Sequence, residues 1–202
     1  MGLQKDCLEL LKKKGLYIRP PYLSVAQEVG YVYEDNYVSS LLSEKRPLNY
    51  VEISHLNDNI QFLEIKVQLL LAFSQVSNTK DIAKFYFKTK EVSVDHLKKL
   101  RSILEENDIA APFTWETGIT DSQESPFSEK LISFQTNLLL SARVSHYGAS
   151  ASSSPRADIA RVYIKFAGEI ANLVKDGLEL AISLNLFERP PQNVERKELI
   201  MK

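Results

Sequence analysis

The sequence predicts an all-α protein whose main body is a bundle of four long helices packed up-down-down-up. Three observations carry this. Four segments among the 202 residues repeat apolar side chains with a 3.6-residue period, and strand-like alternation is nearly absent. Only Ser77 and Asn78 separate the first two segments, which makes those helices antiparallel neighbours. Between the second and third segments, residues 108–124 cover ~55 Å when extended. That is enough to run the length of helices of ~40 Å.

The chain opens on a shorter helix at about residues 3–14, where Lys12, Lys13 and Lys14 complement the carbonyl end of the dipole. Asp6-Cys7-Leu8-Glu9-Leu10, the breaker Gly15, and Leu16-Tyr17-Ile18-Arg19-Pro20-Pro21 then recur near the other end. There they read Asp176-Gly177-Leu178-Glu179-Leu180, Asn185, and Leu186-Phe187-Glu188-Arg189-Pro190-Pro191. Eight of the sixteen aligned positions, all offset by 170, are identical. A repeat at that spacing is a duplicated domain rather than a solenoid unit. Residues 1–21 are therefore expected to be the last helix of a preceding, mostly absent repeat. Residues 22–47, rich in Tyr, are expected to be a wrapping linker with a short helix at 38–43. The bundle takes 48–192, and 193–202 is a tail.

The first bundle helix is expected from Asn49 to Val76, with Asn49 and Glu52 at capping-box spacing and Ile53, Leu56, Ile60, Leu63, Val67, Leu70 and Leu71 inward. The second runs from Thr79 to Glu106, with Ile82, Phe85, Val92, Leu100, Ile103 and Leu104 inward. Ser125-Pro126 and Ser154-Pro155 each place a capping hydroxyl before a proline and are expected to start the third and fourth helices. The third is expected to bury Phe127, Leu131, Phe134 and Leu138; the fourth, Ile159, Val162, Phe166, Ile170, Leu173 and Leu184. Around residues 141–152 the third helix turns to small side chains, which admit either a close helix or a pocket for a small hydrophobic molecule. A long connection between the second and third helices is the ferritin-like one.

Bulk composition narrows the partners. Hydrophobic residues make up 44% and the net charge is −1, with no basic stripe for nucleic acid. Cys7 is the only cysteine, so intrachain disulfides are excluded. The longest apolar run, Leu69 to Phe73, is too short to span a bilayer, and no signal-peptide core is present. The expectation is a cytoplasmic protein without nucleic-acid or membrane partners. No phosphate-cradling glycine loop or nucleophile elbow is found.

A ferritin-like bundle raises the question of metal. A carboxylate di-iron centre needs Glu-x-x-His on two helices and a Glu on each of the other two. Only Glu52-Ile53-Ser54-His55 fits, and Glu91 to His96 has the wrong spacing, so the ligands of a full di-iron centre are missing. Counting levels at 1.5 Å per residue instead places His55, His96, His146 and Glu169 within roughly 8 Å along the axis. Three imidazoles and a carboxylate suit Zn or Fe(II), with Glu52 in reserve. The ordinary reading of the same residues is a core histidine at His96 and solvated side chains elsewhere.

Several phrases also carry a family likeness: Gly15 to Tyr22; Arg46-Pro47-Leu48-Asn49 leading to Glu52 and His55; Phe73-Ser74-Gln75-Val76; Pro112-Phe113-Thr114-Trp115; Ser125-Pro126-Phe127-Ser128; and Pro190-Pro191-Gln192. Together they resemble an uncharacterised family of endospore-forming bacteria, classed as a domain of unknown function. Its members are tandem ferritin-like repeats distantly similar to spore coat protein F, and this chain resembles the C-terminal repeat. The resemblance implies a fold and a sporulation context, with spore coat proteins as partners. The functional expectation is a non-enzymatic structural protein that forms a homodimer. The competing expectation is a bundle binding metal or a small hydrophobic ligand, with redox activity.

Overall fold

The computed structural model of the chain describes residues 2–17, 30–33, 37–38, 45–112, 118–196 and 200. The described residues form five α-helices and no strand: α1 Gly2–Lys13, α2 Tyr50–Val76, α3 Lys80–Glu105, α4 Glu129–Ser152 and α5 Ala157–Ser183. They divide into two compact units, Met1–Tyr33 and Glu34–Lys202. The short helix expected at 38–43, Trp115 and Arg19-Pro20-Pro21 fall largely or wholly outside the described residues.

In the first unit α1 buries no residue. It ends as its sequence dictates. Gly15 takes a positive φ of 69°, Leu16 N–H donates to Leu11 O and Gly15 N–H to Lys12 O. This is the paired 6→1 and 5→2 closure of a Schellman motif, which needs a left-handed residue after the helix. The sequence repeat folds into the same motif in the second unit. Asn185 adopts a φ of 57°, Leu186 N–H donates to Ala181 O and Asn185 N–H to Ile182 O. Asn is one of the few residues tolerant of that conformation.

In the second unit α2 packs along α3 and α4 along α5, with further contacts from α2 to α4 and from α3 to α5. Residue numbers rise on one member of each contact as they fall on the other. Lys88 pairs with Asp176 and His96 with Glu169; Asn59 meets Ser150 while Phe62 stacks on His146. Thr79, which caps α3, donates its N–H and hydroxyl to Glu129 at the first residue of α4. Thus α4 begins beside the start of α3. The intervening chain is fastened at Pro112 O by Arg101 and at Thr120 O and Ser122 O by Gln75.

The core is aliphatic where the period places it on α2, α3 and α5: Leu56, Ile60, Leu63, Leu100, Leu104 and Ile170 are fully covered. On α4 the expectation is overturned. Phe127, Leu131, Phe134 and Leu138 lie outward, Phe134 at 62% exposure. The inward face carries Ile132, Thr136, Leu140, Arg143, Tyr147 and Ser150 instead. Both faces have helical spacing, and the period cannot say which one the neighbouring helices cover. Two helix starts also move. Ser125 closes a local turn on Phe127, and Ser128 is the cap of α4, accepting from Leu131 N–H. Ser154 donates back to Ser150 O, and α5 begins after Arg156, its N-cap residue.

Candidate functional site

Two polar clusters lie inside this frame. At the helix starts, Asn49 caps α2 by accepting from Glu52 N–H, while Glu52 accepts from Asn49 N–H at 3.0 Å, completing the predicted capping box. Glu52 does more. Its oxygens also accept two hydrogen bonds from Arg46, at 2.8 and 2.9 Å, and one from Arg156 N–H at 3.0 Å. Burial pushes its pKa up, but the Arg46 guanidinium and the two backbone N–H groups outweigh this and hold it below the usual carboxylate range. Arg156 is itself buried, pairing with Asp158 and donating to Arg46 O. The reserve metal ligand is therefore a structural clamp joining the segment before α2 to the N-terminus of α5.

The second cluster lies between the helix pairs. His96 is 2% exposed and stacks on Phe166 with ring centroids 3.6 Å apart. Its Nε2 lies 2.7 Å from Glu169 and its Nδ1 3.1 Å from the Tyr147 hydroxyl. Burial drives the imidazole pKa down to about 4 against the opposing pull of Glu169. The ring is neutral at pH 7, donating through Nε2–H to the carboxylate and accepting from Tyr147 at Nδ1. His96 and Glu169 form part of the wall of an open groove of about 520 Å³ between α3 and α5.

Of the four residues proposed to share a metal, the structure brings together His96 and Glu169. His55 is a half-buried neighbour of Ser150 at 3.4 Å, and His146 is exposed and stacked on Phe62. Among the described residues, no group of three or more His, Cys, Asp and Glu side chains could hold a metal ion. The small side chains Ser141, Ser145, Gly148 and Ser152 face outward, on the same side as the exposed His146 and away from the buried His96.

Where a ferritin-like fold would need carboxylates, the interior presents cations. Lys66 of α2 is 2% exposed and Arg143 of α4 is 1% exposed. Arg143 donates to Asn59 and stacks 3.7 Å from the Phe62 ring. Among the described residues Lys66 Nζ and Arg143 Nε and Nη2 have no hydrogen-bond partner. Burial, with Arg143 nearby, pushes the Lys66 ammonium down to about 7, and burial lowers Arg143 to about 10. The buried carboxylates among the described residues, Glu52 and Glu64, are both held by arginines, Glu64 by Arg101. This donor set does not fit a carboxylate di-iron centre. Sequence periodicity missed Lys66 and Arg143 because it discounts charges. The available signal was spacing: Asn59 and Lys66 are seven apart on α2, and Leu140, Arg143, Tyr147 and Ser150 continue one inward seam.

No described helix is long and apolar enough to cross a membrane. No curated protein matches the chain. Among solved structures, the chain is similar to the crystal structure of a "putative spore coat protein" from Bacillus halodurans C-125, with a TM-score of 0.68 at 15% identity, covering 74% of this chain and 98% of that one. At that identity the likeness is one of fold. The family model described as "Protein of unknown function (DUF3231)" matches residues 37–199, and the chain belongs to that family.

Proposed function

We propose that the chain is a ferritin-like, up-down-down-up four-helix bundle serving as a non-enzymatic packing protein linked to sporulation and the spore coat. The topology is supported by the opposed directions of contacting helices and by the start of α4 beside the start of α3. The paired Schellman motifs at Gly15 and Asn185 support reading residues 1–21 as the closing helix of a related repeat. The spore coat link rests on the solved neighbour's description.

The observation carrying the packing role is the outward apolar stripe of α4, Leu131, Phe134 and Leu138, with Phe127 exposed just before the helix. It borders a groove of about 720 Å³ whose other wall includes Leu178, Leu186 and Phe187. An exposed apolar strip of this kind marks an interaction surface rather than a catalytic one. The protein is expected to be a homodimer or larger assembly. Light scattering on purified protein tests this; a monomer at micromolar concentrations refutes it. The competing reading, a metal centre using His55, His96, His146 and Glu169, has the 2.7 Å His96–Glu169 contact in its favour. Stoichiometric Zn or Fe in protein prepared without a His tag would decide for it.

A further inference from the structure

The outward face of α4 has internal structure that a generic sticky patch would lack. Leu131, Phe134, Leu138, Ser141, Ser145 and Gly148 of α4 follow one another at alternating steps of three and four residues. That is the 3.5-residue repeat of a helix–helix seam. Every member is exposed. The first half is large and apolar; the second half is small, and nothing lies within 4 Å of a Cβ built on Gly148.

The geometry points to a second copy of this chain as the occupant, with two α4 helices packed antiparallel about a two-fold axis between Leu139 and Leu140. This deepens, and rests on, the self-association reading above. In that single register Leu131 meets Gly148, Phe134 meets Ser145 and Leu138 meets Ser141, each pair occurring twice. An isologous interface demands this reciprocity, since a patch must complement itself. A large residue opposes a small one at every level, which keeps the two axes evenly spaced within the usual 8–10 Å. The parallel alternative sets Phe against Phe at one end and Gly against Gly at the other, splaying the first and leaving a void in the second.

The flanks agree. Ser128, Gln135, Asn137, Ala142, Val144 and Ala149, which border the seam, carry no charge. Lys130, on the same border, is already paired with Glu188 of its own chain. No like charges oppose one another across the axis, so nothing on these borders selects against self-pairing.

Site-directed cross-linking tests the register in a Cys7→Ser background, which removes the exposed native thiol. Protein carrying Leu131→Cys, mixed with protein carrying Gly148→Cys, is expected to form a mixed disulfide on mild oxidation, while Leu131→Cys alone does not link to itself. Gly148→Leu is expected to weaken dimerisation by at least ~10-fold, through overpacking against Leu131 of the other copy. At concentrations where wild type is monomeric its melting temperature should not fall, because the position is open within one chain. A dimer that persists in Gly148→Leu and gives no mixed disulfide overturns the seam while leaving self-association intact. Self-linking of Leu131→Cys overturns the antiparallel register. A wild-type monomer overturns both.

Discussion

Raising the pH from 7.5 to 9.5 should stabilise this protein, and replacing Lys66 with Met should abolish the effect. Lys66 is 2% exposed, its Nζ has no partner among the described residues, and its folded pKa is pushed from 10.5 to about 7. Between those values the unfolded chain carries the proton and the folded chain does not. Stability therefore rises with pH across that window, by about 1.4 kcal/mol per unit, or ~2.5 kcal/mol over the two units. The window closes near pH 10. Tyr86 is pushed up by burial to about 12, and Tyr147 and Tyr163 are driven up too, so their unfolded forms ionise first and reverse the slope. The assay is urea denaturation followed by circular dichroism at several pH values for wild type and Lys66→Met. Met fills the space of the lysine stem without a charge to desolvate. The variant should be the more stable at pH 7.5 and should converge with wild type as the pH rises. Parallel pH profiles for the two proteins would refute the reasoning, because they would mean that Lys66 keeps its proton on folding.

Two further changes probe the frame around this centre. Glu52→Gln strips the charge from a carboxylate that four hydrogen bonds converge on, leaving Arg46 unpaired at 15% side-chain exposure. A loss of about 3 kcal/mol, or roughly 6–12 °C in melting temperature by thermal denaturation, is expected. Wild type should lose the same contribution as the pH falls through the depressed Glu52 pKa, whereas the variant should not. Gly177→Ala should destabilise by about 1–2 kcal/mol in urea despite alanine's helix propensity. Its Cβ would come within 2.6 Å of Asn137 Oδ1 and 2.7 Å of Phe85 Cζ, so a gain in stability would contradict the packing described.

The helices were legible because propensity, caps and period agreed. Asn49 and Glu52 form the capping box their spacing announced, and the breakers Gly15 and Asn185 take the positive φ that ends their helices. The proline signals marked turns rather than helix starts: Ser125 closes a local turn on Phe127 and Ser154 bonds back to the last turn of α4, and the caps fall later, at Ser128 and Arg156. The repeat itself carried more than was read from it. Cys7 stands where α5 has Gly177, and the difference matches packing: Cys7 is exposed, while Gly177 is buried against Asn137 and Phe85.

The rotation of α4 was the costlier error, and its cause bears on function. Periodicity assigns the most apolar stripe to the interior, on the premise that a chain hides what water rejects. In α4 that premise fails. The interior seam is polar, built around Arg143 and Tyr147, and the stripe of Phe134 and Leu138 is left on the surface. The helix has two coherent faces, and the period alone does not say which of them its neighbours cover. The same rotation bears on the candidate metal residues. Level counting placed His55, His96 and His146 at similar heights, but height fixes only one coordinate, and the rotation of each helix decides which side chains meet. His96 turned inward to Glu169 and Tyr147, while His146 turned out beside the small half of the seam. Rotation about the α4 axis thus removes an expected ligand from the interior and leaves an apolar stripe on the surface, where self-association would have to be tested.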